Sequence, residues 1–120
     1  MKTLTLYTLA QCDSCRRAVK WLREQGHSFE EKPIRETPPS HRELQRMLVA
    51  RGGELRALFN TAGRDYREQK LSALLPGMSE SAALGLLEAN GNLVKRPFLI
   101  GDGVALVGFN PKVWTQHLAK

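Results

Sequence analysis

The sequence predicts a mixed α/β domain with the element order βαβ, a run of helices, then ββα. Three observations predict it. The opening residues alternate polar and apolar side chains, then give way to helical spacing. Residues 40–90 show only helical spacing, punctuated by glycine and proline. The alternating period returns after Pro97. The 120 residues are one domain's worth, so residues 1–120 are read as a single unit with a helical insert at about 40–90.

Residues 3–7 alternate in the strand period. From Asp13 or Ser14 to Gln25 the apolar positions Ala18, Val19 and Leu22, flanked by Trp21, recur at helical spacing, and Gly26 supplies a stop. Residues 29–34 form a second short strand, parallel to the first if the helix between them is a crossover. The "TPPS" run at 37–40 breaks the chain, and Ser40 with Glu43 makes a capping box for a helix ending near Arg51, before Gly52 and Gly53.

"ELRALFN" and "DYREQKLSALL" each read as one short helix. A longer helix follows over 79–90, with Ala82, Ala83, Leu86 and Leu87 facing inward, and Pro76-Gly77 separates the last two. Residues 98–100 and 104–107 flank "GDG", where Asp102-Gly103 suits a type I′ hairpin. Asn110 as N-cap and Pro111 as first helical residue open a final helix through Val113, Trp114 and Leu118.

Composition excludes several classes. No apolar run approaches the ~18–20 residues a bilayer span needs. The N-terminus lacks the apolar core of an export signal, so the expected compartment is the cytoplasm. Eighteen basic against twelve acidic residues leave a net charge of +6, which favours anionic partners. These charges are scattered, and the aromatics do not interleave with them as a stacking platform would require, so direct nucleic-acid binding is not expected. Nothing in the sequence demands an oligomer, and a monomer is the expectation.

The two cysteines stand at 12 and 15, in "LAQCDSCRRAV", where the first strand hands over to the first helix. Cys12 falls at the end of the loop and Cys15 in the first helical turn. Unpaired amides and partial positive charge at a helix start favour a thiolate over a thiol, and Arg16 and Arg17 add charge nearby. Cys12 is the expected exposed nucleophile and Cys15 the resolving thiol.

Three other readings compete. A structural zinc site needs four ligands, and His27, His41 and His117 lie far apart without paired spacing. Burial as small hydrophobes suits Cys15 alone. A purely structural disulfide does not suit a reducing cytosol. A cytosolic C-x-x-C beside a βαβ pattern therefore reads as a thioredoxin-like redox pair, with no bound cofactor or metal. Far downstream, Pro97 precedes the third strand, where a cis bond fits; the likeness to thioredoxin-like folds, in which such a proline sits beside the redox cysteine, implies a cis Arg96-Pro97 bond. An ordinary trans proline opening an edge strand fits the sequence equally well.

With "TLYTLAQCDSCRRAVKWL", "LRALFNTAGRDYREQ" and "VKRPFLI" together, the chain resembles the ArsC/Spx family over essentially its whole length. The resemblance implies a thioredoxin-like fold with a helical insert. For the arsenate reductases of the family it implies that Cys12 attacks the oxyanion and Arg96 binds it. Two further arginines of that pattern would fall at Asn60 and near Gly108-Phe109, where this sequence has none. A dianion needs several converging charge-assisted donors, which argues against arsenate as substrate. Arg56 and Arg64 are the candidate replacements, and Arg96, Pro97, Arg56 and Arg64 the candidate substrate-binding set.

The paired cysteines are instead similar to those of Spx-type regulators, as is the Lys95-Arg96-Pro97 run. That likeness implies a redox switch and binding to the C-terminal domain of the RNA polymerase α subunit. The leading expectation is a thiol–disulfide oxidoreductase acting on a thiol or disulfide substrate, with glutathione or thioredoxin as electron donor. The alternative is the Spx-like regulator.

Overall fold

The computed structural model describes residues 3–118. Its core is a four-stranded mixed sheet of β1 (Leu4–Thr8), β2 (Phe29–Pro33), β3 (Phe98–Gly101) and β4 (Val104–Val107), in the spatial order β2-β1-β3-β4. β1 and β2 are parallel, joined through α1 (Asp13–Glu24). β3 runs antiparallel to both β1 and β4. The remaining helices are α2 (His41–Ala50), α3 (Arg64–Glu68), α4 (Leu71–Leu74), α5 (Glu80–Ala89) and α6 (Pro111–Leu118). This is the mixed α/β, thioredoxin-like arrangement expected from the sequence.

The period-2 alternation of the strands sorts their side chains onto two faces. Leu4 and Leu6 of β1, Leu99 of β3 and Val104 and Leu106 of β4 pack with Ala18, Leu22, Trp114 and Leu118, so α1 and α6 cover one face. Tyr7, Phe98 and Ile100 point the other way, into a second cluster with Leu44, Met47, Leu58, Tyr66, Leu84 and Leu87 of the helical segments.

Two polar devices seat the segments between β2 and β3 on that second face. Ser40 and Glu43 form the capping box: the Glu43 amide donates to Ser40 Oγ, and the Ser40 amide donates to Glu43 Oε1. The Tyr7 hydroxyl donates to the same carboxylate oxygen at 2.6 Å, which ties the start of α2 to β1. Burial and this carboxylate push the Tyr7 ionisation upward. At the far end of the insert Gly91 lies directly on the backbone after β2. A Cβ there would stand 1.9 Å from the Ile34 carbonyl oxygen.

Three local expectations are corrected. "DYREQKLSALL" is two helices: Lys70 adopts φ 56° and breaks the run. Tyr66 and Leu71 are both buried, yet five residues apart on one helix they would point about 140° from each other. The break lets both reach the core. On α5 the buried residues are Ala83, Leu84 and Leu87, while Ala82 is exposed and Leu86 half-buried. Its alanines and leucines run almost all the way round the helix, so the pattern does not choose a face. In the β3–β4 hairpin Gly103 takes φ 74°, but Lys70 is the only non-glycine of positive φ among the described residues. Asp102 therefore does not meet the type I′ requirement.

The insert's close approach at Gly91 generates a paired stability test. Gly91→Ala should cost about 3 kcal/mol, the upper end for overpacking. Gly85→Ala, in an exposed helical position with nothing within 4 Å of its Cβ, should gain roughly 0.5–1 kcal/mol. Urea unfolding of both variants checks the pair.

Candidate active site

β1 ends at Thr8, and the chain turns through Leu9–Cys12, where the Cys12 amide donates to the Leu9 carbonyl at 3.0 Å. Cys12 is the N-cap of α1, in extended conformation, and its Sγ accepts from the Cys15 amide at 3.2 Å. Its carbonyl accepts the Arg16 amide and so begins the helix. A cysteine thus occupies the position usually held by serine, threonine, aspartate or asparagine.

The two sulfurs differ sharply in setting. Cys12 is half-buried, and Cys15 is 1% exposed; both are free thiols. Burial, followed by a hydrogen bond to Cys12, pushes the Cys15 thiol up from 9.0 to about 12, against opposing effects of a Leu9 backbone contact and the Arg96 charge.

Arg96-Pro97 is a cis peptide bond, and Pro97 is buried immediately before β3. Because Tyr7 pairs with Phe98, the start of β3 lies beside the end of β1 and hence beside the cysteine loop. The half-buried Arg96 guanidinium is held back toward its own loop, with Nη1 donating to the Asn92 and Val94 carbonyls at 3.3 Å each. Arg16 braces the cysteine loop from outside, donating to the Ala10 carbonyl and pairing with Asp13 at 3.2 Å. Arg17 lies over the Phe109 ring.

A cavity of about 470 Å³ opens at this end of the sheet, lined among others by Ser14, Asn60, Lys95, Arg96, Gly108 and Phe109. Asn60 reaches it through a short antiparallel contact: Phe59 bridges Val94, the Asn60 amide donates to the Leu93 carbonyl, and the Lys95 amide to that of Leu58. Arg56 and Arg64 are not brought there. Arg56 lines a separate cavity with Gly52, Gly53 and Leu75. Arg64 pairs with Glu68 on the surface at 3.4 Å, its side chain 79% exposed.

Two cations outside the set expected from the sequence do line the first cavity, Lys95 and Arg51. For Lys95 the signal was its place beside Arg96 in the "KRP" run. Arg51 ends α2, and only the docking of that helix on the sheet brings it near. Among the described residues no three of the His, Cys, Asp and Glu side chains group to hold a metal ion, and no helix is long and apolar enough to cross a membrane.

Known proteins resemble this chain in sequence and in fold. A sequence model of the ArsC family matches residues 7–117. The uncharacterized protein YusI of Bacillus subtilis (strain 168) is 39% identical over 117 residues, 98% of this chain and 99% of that protein. The global transcriptional regulator Spx of Enterococcus faecalis (strain ATCC 700802 / V583) is 34% identical over 107 residues, 89% of this chain and 80% of that one. Among solved structures, an ArsC-family-related protein from Bacteroides fragilis matches with a TM-score of 0.87 at 35% identity, covering 94% of this chain and 95% of that chain.

The asymmetry of the two sulfurs predicts selective chemistry. At neutral pH, iodoacetamide should label Cys12 and leave Cys15 unmodified until the fold is opened with denaturant, as read by peptide mass spectrometry. The unfolded chain ionises Cys15 near 9.0 and the native fold holds it neutral to about 12. Its contribution to stability is therefore intact below that interval and lost as pH rises through it. Urea unfolding within and below the interval should show a larger loss in the wild type than in Cys15→Ala, because the upward-shifted Tyr7 adds the same fall to both.

Proposed function

Because the chain belongs to the ArsC family, we propose that it is a thiol–disulfide oxidoreductase in which Cys12 attacks and Cys15 resolves. The observation that carries this reading is the pairing of a half-exposed sulfur at the start of α1 with a buried thiol in the same helical turn, whose backbone amide donates to that sulfur. The Cys12 thiolate attacks one sulfur of a substrate disulfide. That bond breaks, and the departing thiolate takes the electron pair and leaves a mixed disulfide on Cys12. Cys15 then gives up its proton and attacks Cys12 Sγ, forming the Cys12–Cys15 bond and releasing the second thiolate.

The substrate gains two electrons and the pair loses two. A reduced thiol such as glutathione or thioredoxin returns them. The first attack also removes one of the causes that hold the proton on Cys15, because Cys12 is then no longer a free hydrogen-bond partner. Arg96 places positive charge near Cys15, and Pro97 packs just ahead of β3, beside the cysteine loop.

Arsenate reduction is the weaker enzyme reading. Asn60 and Gly108 stand in the cavity wall where the family resemblance would put arginines, and neither Arg56 nor Arg64 lines that cavity. A second reading is favoured by the 34% identity to Spx together with the paired cysteines. In it the chain is a redox-sensing regulator that binds the C-terminal domain of the RNA polymerase α subunit. Pull-down against that domain with reduced and with oxidised protein separates the two. Failure to bind in either state removes the regulator.

Treatment of reduced protein with bis(2-hydroxyethyl) disulfide tests the enzyme reading. Wild type should lose both free thiols and form the Cys12–Cys15 disulfide. Cys15→Ser should accumulate the mixed disulfide on Cys12, and Cys12→Ser should stay at background. A wild-type protein that keeps both thiols would overturn it.

A further inference from the structure

Resolution of a mixed disulfide on Cys12 requires the buried Cys15 thiol to lose its proton, and burial opposes that loss. Cys15 stands in the wall of a second cavity, of about 460 Å³, formed by α1, the end of β1 and β2. Thr8 and Glu31 line the same cavity.

The strand period explains why they are there. Thr8 continues the face of β1 that carries Leu4 and Leu6, the face that α1 covers, and Glu31 stands opposite Leu6 in the parallel register of β1 and β2. Thr8 is the one buried aliphatic hydroxyl among the described residues. Its Oγ1 donates to Glu31 Oε2 at 2.6 Å, the short length of a charge-assisted bond. With its only proton committed to the carboxylate, the Thr8 oxygen keeps its lone pairs for a donor in the cavity. Glu31 is exposed and, among the described residues, in no ion pair. A proton that reaches it can pass on to bulk water.

We propose that Thr8 and Glu31 form a proton relay that takes the proton of Cys15 during resolution, through water in the cavity they share. The cavity is polar enough and large enough to hold such water. The Cys15 S–H bond breaks and its proton passes by way of the water to Thr8 Oγ1, while the Thr8 proton passes to Glu31. The electron pair left on Cys15 forms the bond to Cys12 Sγ, and the departing thiolate takes the pair of the broken disulfide. Arg16, Lys20, Arg23 and Glu24 of α1 also line this cavity, and Arg96 places charge near Cys15. The cations offer no acceptor, and the Thr8 hydroxyl is directed to Glu31, not to Glu24. The place of the relay in catalysis rests on the oxidoreductase reading.

The test uses dithiobis(nitrobenzoate), a chromogenic disulfide that oxidises any accessible thiol. In stopped-flow mixing with the full chain it should release one coloured thiolate as Cys12 is loaded and a second as Cys15 resolves. Glu31→Gln and Thr8→Val should leave the first phase unchanged and slow the second about a hundredfold, at the lower end of general-base contributions. The slowed phase should rise in proportion to hydroxide, and acetate should restore it in Glu31→Gln without speeding the wild type. Thr8→Ser keeps the hydroxyl and should recover most of the rate. Glu30→Gln, which removes the same charge from the other face of β2, should change neither phase.

A second phase equally fast in wild type, Glu31→Gln and Thr8→Val would overturn the relay. So would a slowing that neither acetate nor higher pH relieves, since that would mark a displaced Cys15. A protein whose second phase depends on Glu31, yet which leaves bis(2-hydroxyethyl) disulfide intact, keeps the relay and loses the oxidoreductase reading. One that closes the Cys12–Cys15 bond at the same rate in every variant keeps the chemistry and loses the relay. Absence of the second phase in the wild type overturns both.

Discussion

One backbone amide organises the chemistry at the start of α1. The first turn of any helix presents N–H groups with no partner inside the helix, and here the Cys15 amide finds the sulfur of Cys12 at 3.2 Å. An N-cap bond of this type joins the cap to a residue two or three places on. The C-x-x-C spacing and the capping geometry are consequently the same constraint. A side chain that caps at 12 must lie over the turn that contains residue 15. The same bond leaves Cys12 at the mouth of the helix while Cys15 goes into the core with Ala18 and Leu22.

Sheet topology then brings distant segments to that mouth. The antiparallel register of β1 and β3 sets Tyr7 opposite Phe98, so residues 96 and 97, from the far end of the sequence, arrive beside the cysteine loop. β4 runs antiparallel to β3 and ends at the same edge of the molecule, delivering Gly108 and Phe109. The Phe59–Val94 bridge adds the segment with Asn60. Each contribution follows from strand direction, and α2 contributes only because the Tyr7–Glu43 hydrogen bond and its buried leucines hold it on the sheet.

What could be read from the sequence and what could not divide along this line. Features specified within one turn of chain were legible: the capping box at Ser40, the N-cap at Asn110 (its Oδ1 accepts from the Lys112 and Val113 amides), the stop at Gly26 and the C-x-x-C itself. Features set by packing were not. Lysine carries no signal for the left-handed conformation it adopts at position 70, which exists because Tyr66 and Leu71 both need the core. The inward face of α5 was ambiguous because alanine and leucine surround it. Arg51 was invisible as a site residue, since its place in the cavity depends on a helix docking across the sheet from β1. Arg56 and Arg64 drew attention by nearness in sequence to Asn60, but nearness along the chain does not set direction, and they point elsewhere.

The hold of α2 on the sheet has a consequence for how these chains meet one another. An open sheet offers two rows of unsatisfied backbone groups to any passing strand. On one flank, β2 reads FEEKP, with two exposed glutamates and an exposed proline that would repel or fail to pair with a newcomer. On the other, the Ala105 carbonyl of the edge strand β4 accepts from Arg51 at the end of α2. Both flanks thus resist ladder extension, one by repulsion and one by occupation. The second closure lasts only while α2 stays docked, so a lesion that loosens this helix would unmask a sticky border as well as weaken the core.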